Sequence, residues 1–197
     1  MKFNEVVKKH PDILTDPGYN PDEYPRMFEN SLEAVVKANG LSMERSNRDD
    51  VYDTDFRIFR VSNNETLFYG DAEYDNSGKL FKSDGKISYF EVNIPIEKFE
   101  RFKKKFSDKD FVYVKGSKDL KYVMVLRGDA IIKHSKPKSK ESNHNGVKAK
   151  RDFMCIHTYS MIQRNHLLSG GLQEWLLMVK KLFPMWKWWG EEDEKTD

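Results

Sequence analysis

Two neighbouring runs constrain this fold more than any other stretch. They are Tyr52-Asp53-Thr54-Asp55-Phe56-Arg57-Ile58-Phe59-Arg60-Val61 and Leu67-Phe68-Tyr69-Gly70-Asp71-Ala72-Glu73-Tyr74-Asp75. Both alternate as strands do, yet both carry carboxylates where a structural strand prefers apolar or neutral residues. Ser62-Asn63-Asn64-Glu65 between them is a turn signal, so the runs are expected to pair as an antiparallel hairpin. With the hairpin centred on Asn63-Asn64, partner positions sum to about 127, which sets Asp55 beside Ala72 and between Asp71 and Glu73. A slip of one residue changes the partner but not the clustering. The period of two puts Tyr69, Asp71, Glu73 and Asp75 on one face of the second run, and Phe68, Gly70, Ala72 and Tyr74 on the other. Several acids crowded into one region of a sheet cost free energy unless a cation or a proton sits among them. The hairpin therefore reads as a divalent-metal site, with Asp55 and Glu73 as ligands and Asp71 or Asp75 as auxiliaries.

The rest of the chain reads as support for this site. Residues 1–24 are a turn-rich lead-in with Pro11, Pro17, Gly18 and Pro21. From Pro25, the residues Met27, Phe28, Leu32, Val35 and Val36 recur at helical spacing up to Gly40, which predicts a helix over 25–39 with Glu29 and Glu33 on one face. The small residues Gly70 and Ala72 mark a close approach to the sheet, for which this helix is the expected neighbour. A third strand is expected over 86–94, closed by Pro95. An amphipathic helix over 96–106 follows, with Phe99, Phe102 and Phe106 inward and Lys98, Arg101 and Lys105 on another stripe. Two more strands are expected at 111–115 and 122–126, the second running on through Arg127-Gly128-Asp129 into Ala130-Ile131-Ile132. The basic, Ser/Asn-rich stretch 133–151 reads as a mobile functional loop, and Phe153-Met154-Cys155-Ile156 as a last strand or core plug.

A core domain thus spans 25–168, and 169–197 form a separate arm. In the arm Trp175, Leu176, Val179 and Leu182 keep helical spacing, Trp186, Trp188 and Trp189 extend the apolar surface, and an acidic tail ends the chain. Either the arm completes its own core, or Trp175, Trp186 and Trp189 dock a protein partner or a second copy of the chain. The expected fold class is α/β, a central mixed sheet flanked by helices and followed by this aromatic helical arm.

Composition narrows the function classes. A net charge of +2 conceals an uneven distribution: residues 1–78 carry 9 Lys/Arg against 16 Asp/Glu, and residues 79–151 carry 20 against 9. An acidic first half joined to a basic middle suits acids that hold metal beside bases that hold phosphate. No run approaches the length of a membrane span, and the start lacks the apolar stretch of a signal peptide. The lone Cys155 has no internal disulfide partner, which points to a reducing, cytoplasmic compartment. The five histidines form no HExxH pattern and there is no CxxC, which argues against a zinc site.

The order helix, strand, strand, strand, helix, strand, strand, with acids at these places, resembles the PD-(D/E)xK or restriction-endonuclease-like nuclease superfamily. The resemblance implies an αβββαβ core in which an Asp on one strand and an (Asp/Glu)-x-Lys on the next bind Mg²⁺, often with a Glu from the first helix. Carried over, Asp55 is the lone Asp, Glu73 the acid of the second motif, and Glu33 or Glu29 the helix Glu. Two positions after Glu73 stands Asp75 where the family has Lys, and Lys98 on the following helix is the best-placed substitute. An alternative frame uses Asp71 with Glu91-Val92-Asn93. The phrase Asp71–Asp75 followed by Val92–Lys98 is also similar to small phage-encoded members, which would put the chain in a host cytoplasm.

The chemistry implied is hydrolysis of phosphodiester bonds in DNA or RNA. Mg²⁺, or Mn²⁺, takes hard oxygen ligands, keeps several waters, lowers the pKa of one of them and stabilises charge building at phosphorus. Arg101, Lys105, Lys136, Lys138 and Lys140 would neutralise the nucleic-acid polyanion. The rival expectation is a nuclease-fold protein without catalysis, acting as a binding module for nucleic acid or a protein partner.

Overall fold

The computed structural model describes residues 23–46, 54–75, 78–88, 91–105, 111–144 and 147–184. Residues 1–22 of the lead-in, Trp186 and Trp189 therefore lie outside the described residues. In chain order the elements are α1 (Glu23–Ala38), β1 (Leu41–Arg45), β2 (Phe56–Arg60), β3 (Thr66–Tyr74), β4 (Glu91–Pro95), α2 (Ile96–Lys105), β5 (Phe111–Gly116), β6 (Tyr122–Arg127), α3 (Gly128–His134), β7 (Lys136–His144), β8 (Val147–His157), α4 (Thr158–Gln163), β9 (Leu167–Gly171), a 3₁₀ turn (Leu172–Glu174) and α5 (Trp175–Leu182). Among the described residues no helix is long and apolar enough to cross a membrane.

The main sheet has six strands in the order β1-β2-β3-β5-β6-β9, and a second sheet of three has the order β4-β8-β7. Neighbours in the main sheet are antiparallel except β3 and β5, which run parallel. A parallel pair needs a crossover, and β4 with α2 forms part of it. The fold is thus mixed α/β, with a mixed central sheet flanked by helices.

Strand alternation gives the main sheet two unlike faces. One face packs Phe56, Ile58, Phe68, Val112 and Val114 beneath α1 and α5, whose Leu32, Val36, Trp175 and Val179 are buried with them. The other carries Phe111, Tyr113, Met124 and Leu126 beneath α2, α3 and the small sheet. Helix α1 ends where expected, because Gly40 takes a left-handed φ of 73° that suits glycine. The close approach at Gly70 is made by Phe56: a Cβ there would lie 2.1 Å from the ring. The neighbour is thus the hairpin's own aromatic ring, where the helix had been expected.

The structure corrects five further expectations. Paired positions in the β2–β3 hairpin sum to 126 from Phe56↔Gly70 to Ile58↔Phe68, and an irregularity then shifts the register to Phe59↔Thr66. Asn64, at φ 57°, makes the turn. The third strand covers only 91–95 and belongs to the small sheet, because Ile87 instead bridges Phe81 around the Gly85 turn. The strand expected to run through 127–132 stops at Arg127. Arg127 clasps Asp129, the Asp129 carboxylate accepts the Ala130 N–H at 2.8 Å, and the chain turns into α3 with Ala130 and Ile131 buried. The stretch expected to be a mobile loop at 133–151 holds the end of α3 and most of a β7–β8 hairpin, paired from Lys136↔Cys155 to His144↔Val147. Trp175 is a core residue and no docking surface: it is fully buried, edge-on to Phe56 and Phe68 with ring centroids 6.1 Å away in each case.

Candidate active site

The acids meet on the second face, at the join of β2, β3 and β5. Asp55 sits just before β2. Its N–H donates to Gly70 O at 3.0 Å, and its Oδ2 accepts the Ala72 N–H at 2.7 Å, so the carboxylate continues the hairpin ladder past the first strand pair. Period-two geometry turns Asp71 and Glu73 to the same face of β3. The parallel register then places Tyr113 beside Asp71 and Lys115 beside Glu73. Helix α2 lies over this face through buried Phe99 and Phe102, and it lowers Lys98 onto Asp71.

Asp71 is 1% exposed. Its Oδ1 forms an ion pair with Lys98, whereas its Oδ2 accepts no hydrogen bond among the described residues. Burial, then the charges of Asp55 and Glu73, push its pKa well above the ordinary carboxylate range against the pull of Lys98. Glu73 behaves oppositely. Burial raises it, but Lys115 at 3.0 Å and the Tyr113 hydroxyl, which donates to Oε2, hold it below its usual value. Lys98 is raised: burial works against its charge and is outweighed by Asp71, Asp55 and Glu73. Burial and Glu73 likewise push Tyr113 well up, so it stays a neutral donor.

Three carboxylates and two ammonium groups share this space, an excess of one negative charge. Such a site draws a proton or a cation. Among the described residues no three His, Cys, Asp or Glu side chains are gathered closely enough to hold a metal ion. The donor set still suits Mg²⁺, which binds through one or two carboxylates and keeps water for the rest of its shell. The Asp71 oxygen without a partner, flanked by Asp55 and Glu73, is the atom such an ion would satisfy.

The other expected site residues lie elsewhere or do other work. Asp75 is buried past the end of β3, where its Oδ2 accepts the Leu80 N–H at 2.9 Å and fixes a turn. It lines a cleft of about 470 Å³ with Phe81, Lys82, Ser117, Lys118 and Tyr122. Glu33, on α1, is engaged by Arg45 at 2.6 Å and Lys37 at 2.5 Å, and these cations hold its pKa down against burial. Arg101 is exposed on α2, and Lys105 ends that helix. Lys138 and Lys140 both reach Glu91, at 3.0 Å for Lys138, and Lys136 is exposed at the start of β7. The sequence reading missed Tyr113 and Lys115. The apolar run ending in Lys115 was visible, but a parallel partner's register depends on the crossover, which carries no local sequence signal.

In the comparisons with known proteins, no family model, no curated protein and no solved structure matches the chain.

Proposed function

We propose that this protein is a Mg²⁺- or Mn²⁺-dependent nuclease of the PD-(D/E)xK kind that hydrolyses phosphodiester bonds of DNA or RNA. The observation that carries the reading is Asp71, a fully buried carboxylate with one oxygen unpartnered, beside two further acids and beneath a lysine from the next helix. The order α1-β1-β2-β3-(β4)-α2-β5, with β5 parallel to β3, is what supports reading the fold as the αβββαβ core of that resemblance.

The proposed roles shift by one alternate position from those expected. Asp71 and Asp55 are the metal ligands. Glu73 stands where the family motif has Lys, with its side chain about one third exposed at the rim, and it orients water. Bound there, the metal supplies an activated water and a charge clamp on the phosphate. Lys98 is held protonated, so it acts as a fixed positive charge for a phosphate oxygen and not as a proton acceptor. Lys115 and Tyr113 keep Glu73 ionised and oriented.

The Lys98–Asp71 pair favours a second reading, because it already neutralises the deepest acid without a metal. On that reading the fold has lost catalysis and binds nucleic acid or a protein partner. Incubation of the protein with single- and double-stranded DNA and RNA separates the two. Cleavage with Mg²⁺ or Mn²⁺ that EDTA and Asp71→Asn abolish supports the nuclease. Absence of cleavage, together with no metal-dependent rise in Tm, overturns it.

A further inference from the structure

A second cleft, of about 540 Å³, opens where the end of α3, the start of β7, the end of β8 and α4 meet. Its lining carries Lys136, Lys138, Arg164, His134 and His157 against one carboxylate, Glu91. That carboxylate is already satisfied. Lys138 Nζ lies 3.0 and 3.2 Å from its two oxygens, Lys140 reaches Oε2, and His157 Nε2 lies 3.6 Å from Oε1. Lys136 and Arg164 have no carboxylate partner among the described residues, so the cleft is net positive even with both histidines neutral. Burial, then Arg164 and Lys133, hold the pKa of His134 below the ordinary value, against a weaker pull from Asp129.

A guanidinium, a spare ammonium and an imidazole around one concavity form a donor set for a compact, multiply charged anion. The volume falls in the range of small-molecule sites, large enough for a phosphorylated sugar with part of its base. A dianionic phosphate suits it better than a carboxylate, because one negative charge would leave part of the cationic excess uncompensated. We propose that this cleft binds a phosphate monoester through Arg164, Lys136 and His134. Only the naming of a nucleic-acid strand end as one source of that phosphate rests on the nuclease reading. A free mononucleotide offers the same chemistry.

The test uses the full chain in EDTA, so its outcome does not depend on metal or cleavage. Calorimetric titration compares a 5′-phosphorylated oligonucleotide, the same oligonucleotide with a 5′-hydroxyl, and a nucleoside monophosphate, while NMR follows the His134 ring. The phosphorylated strand should bind about tenfold or more tighter than its hydroxyl counterpart and shift the His134 resonances. Arg164→Gln with Lys136→Gln should erase that difference without changing Tm. Comparable binding of the monophosphate identifies a free nucleotide as sufficient, whereas binding of the oligonucleotide alone identifies the strand end. Equal affinity for phosphorylated and hydroxyl strands, with no ligand moving His134, overturns the proposal whether or not the protein cleaves nucleic acid.

Discussion

The two long hairpins place their charge in opposite ways. In β2–β3 the acids point inward under α2 while Phe56, Ile58 and Phe68 fill the opposite core. In β7–β8 the ladder is longer, yet among the residues whose side chains are described only the end of β8 reaches the interior, through Cys155 and Ile156. Lys138 and Lys140 meet Glu91 near the surface. Burial decides what such charges are worth. A paired charge in the interior is expensive to unpair, whereas a pair near water can be lost with little consequence. Substitutions in the first hairpin should therefore threaten the fold, and those in the second should alter local order and salt response.

The largest effect is expected beneath β2–β3. Trp175→Ala removes the ring that both Phe56 and Phe68 meet edge-on, and it should cost about 4 kcal/mol in a urea unfolding curve. A loss under about 1 kcal/mol would mean that α5 is not integral to this core. Lys98→Met comes next, at about 3 kcal/mol, because it strands a buried Asp71. The sign with pH follows from the raised pKa of Asp71. The folded state holds that proton more tightly than the unfolded chain, so the variant should weaken as pH rises from 3.8 through the raised folded value. Asp71→Leu added to Lys98→Met should restore most of the loss. Gly70→Ala is smaller, about 2 kcal/mol, since the new methyl must displace the Phe56 ring.

The same contrast explains what the sequence made legible. Strong alternation around Asn63-Asn64 announced the first hairpin and the gathering of its acids on one face, because burying one face imposes a period of two. Lys136–His144 contains no apolar residue other than Pro137, so no pattern distinguished it from a loop; its strand character comes from backbone pairing with β8. Ala130-Ile131-Ile132 looked like continued strand. The turn into α3 depends on the Arg127–Asp129 clasp and on Gly128 packed against Phe111, both properties of the folded chain. At the site, the clustering of Asp55, Asp71 and Glu73 was legible. The assignment of Asp71 to the deepest place was not, since it follows from a one-residue register and from where α2 lands.

Glu91 tests the other half of the comparison and should give the smallest effect. Lys140, then Lys138, hold its pKa below 4.5 despite partial burial. A depressed carboxylate contributes stability that is complete above its unfolded value and is lost as pH falls through the folded one. Glu91→Gln should therefore cost about 1 kcal/mol or less at pH 7, and it should make the stability curve flatter below about pH 4.5. Salt should shrink the difference from wild type, because the lysines lie near solvent. A loss as large as that of Lys98→Met, or one indifferent to salt, would show that the small sheet leans on Glu91 as heavily as the main sheet leans on Asp71. The division between an interior and a surface hairpin would then fail.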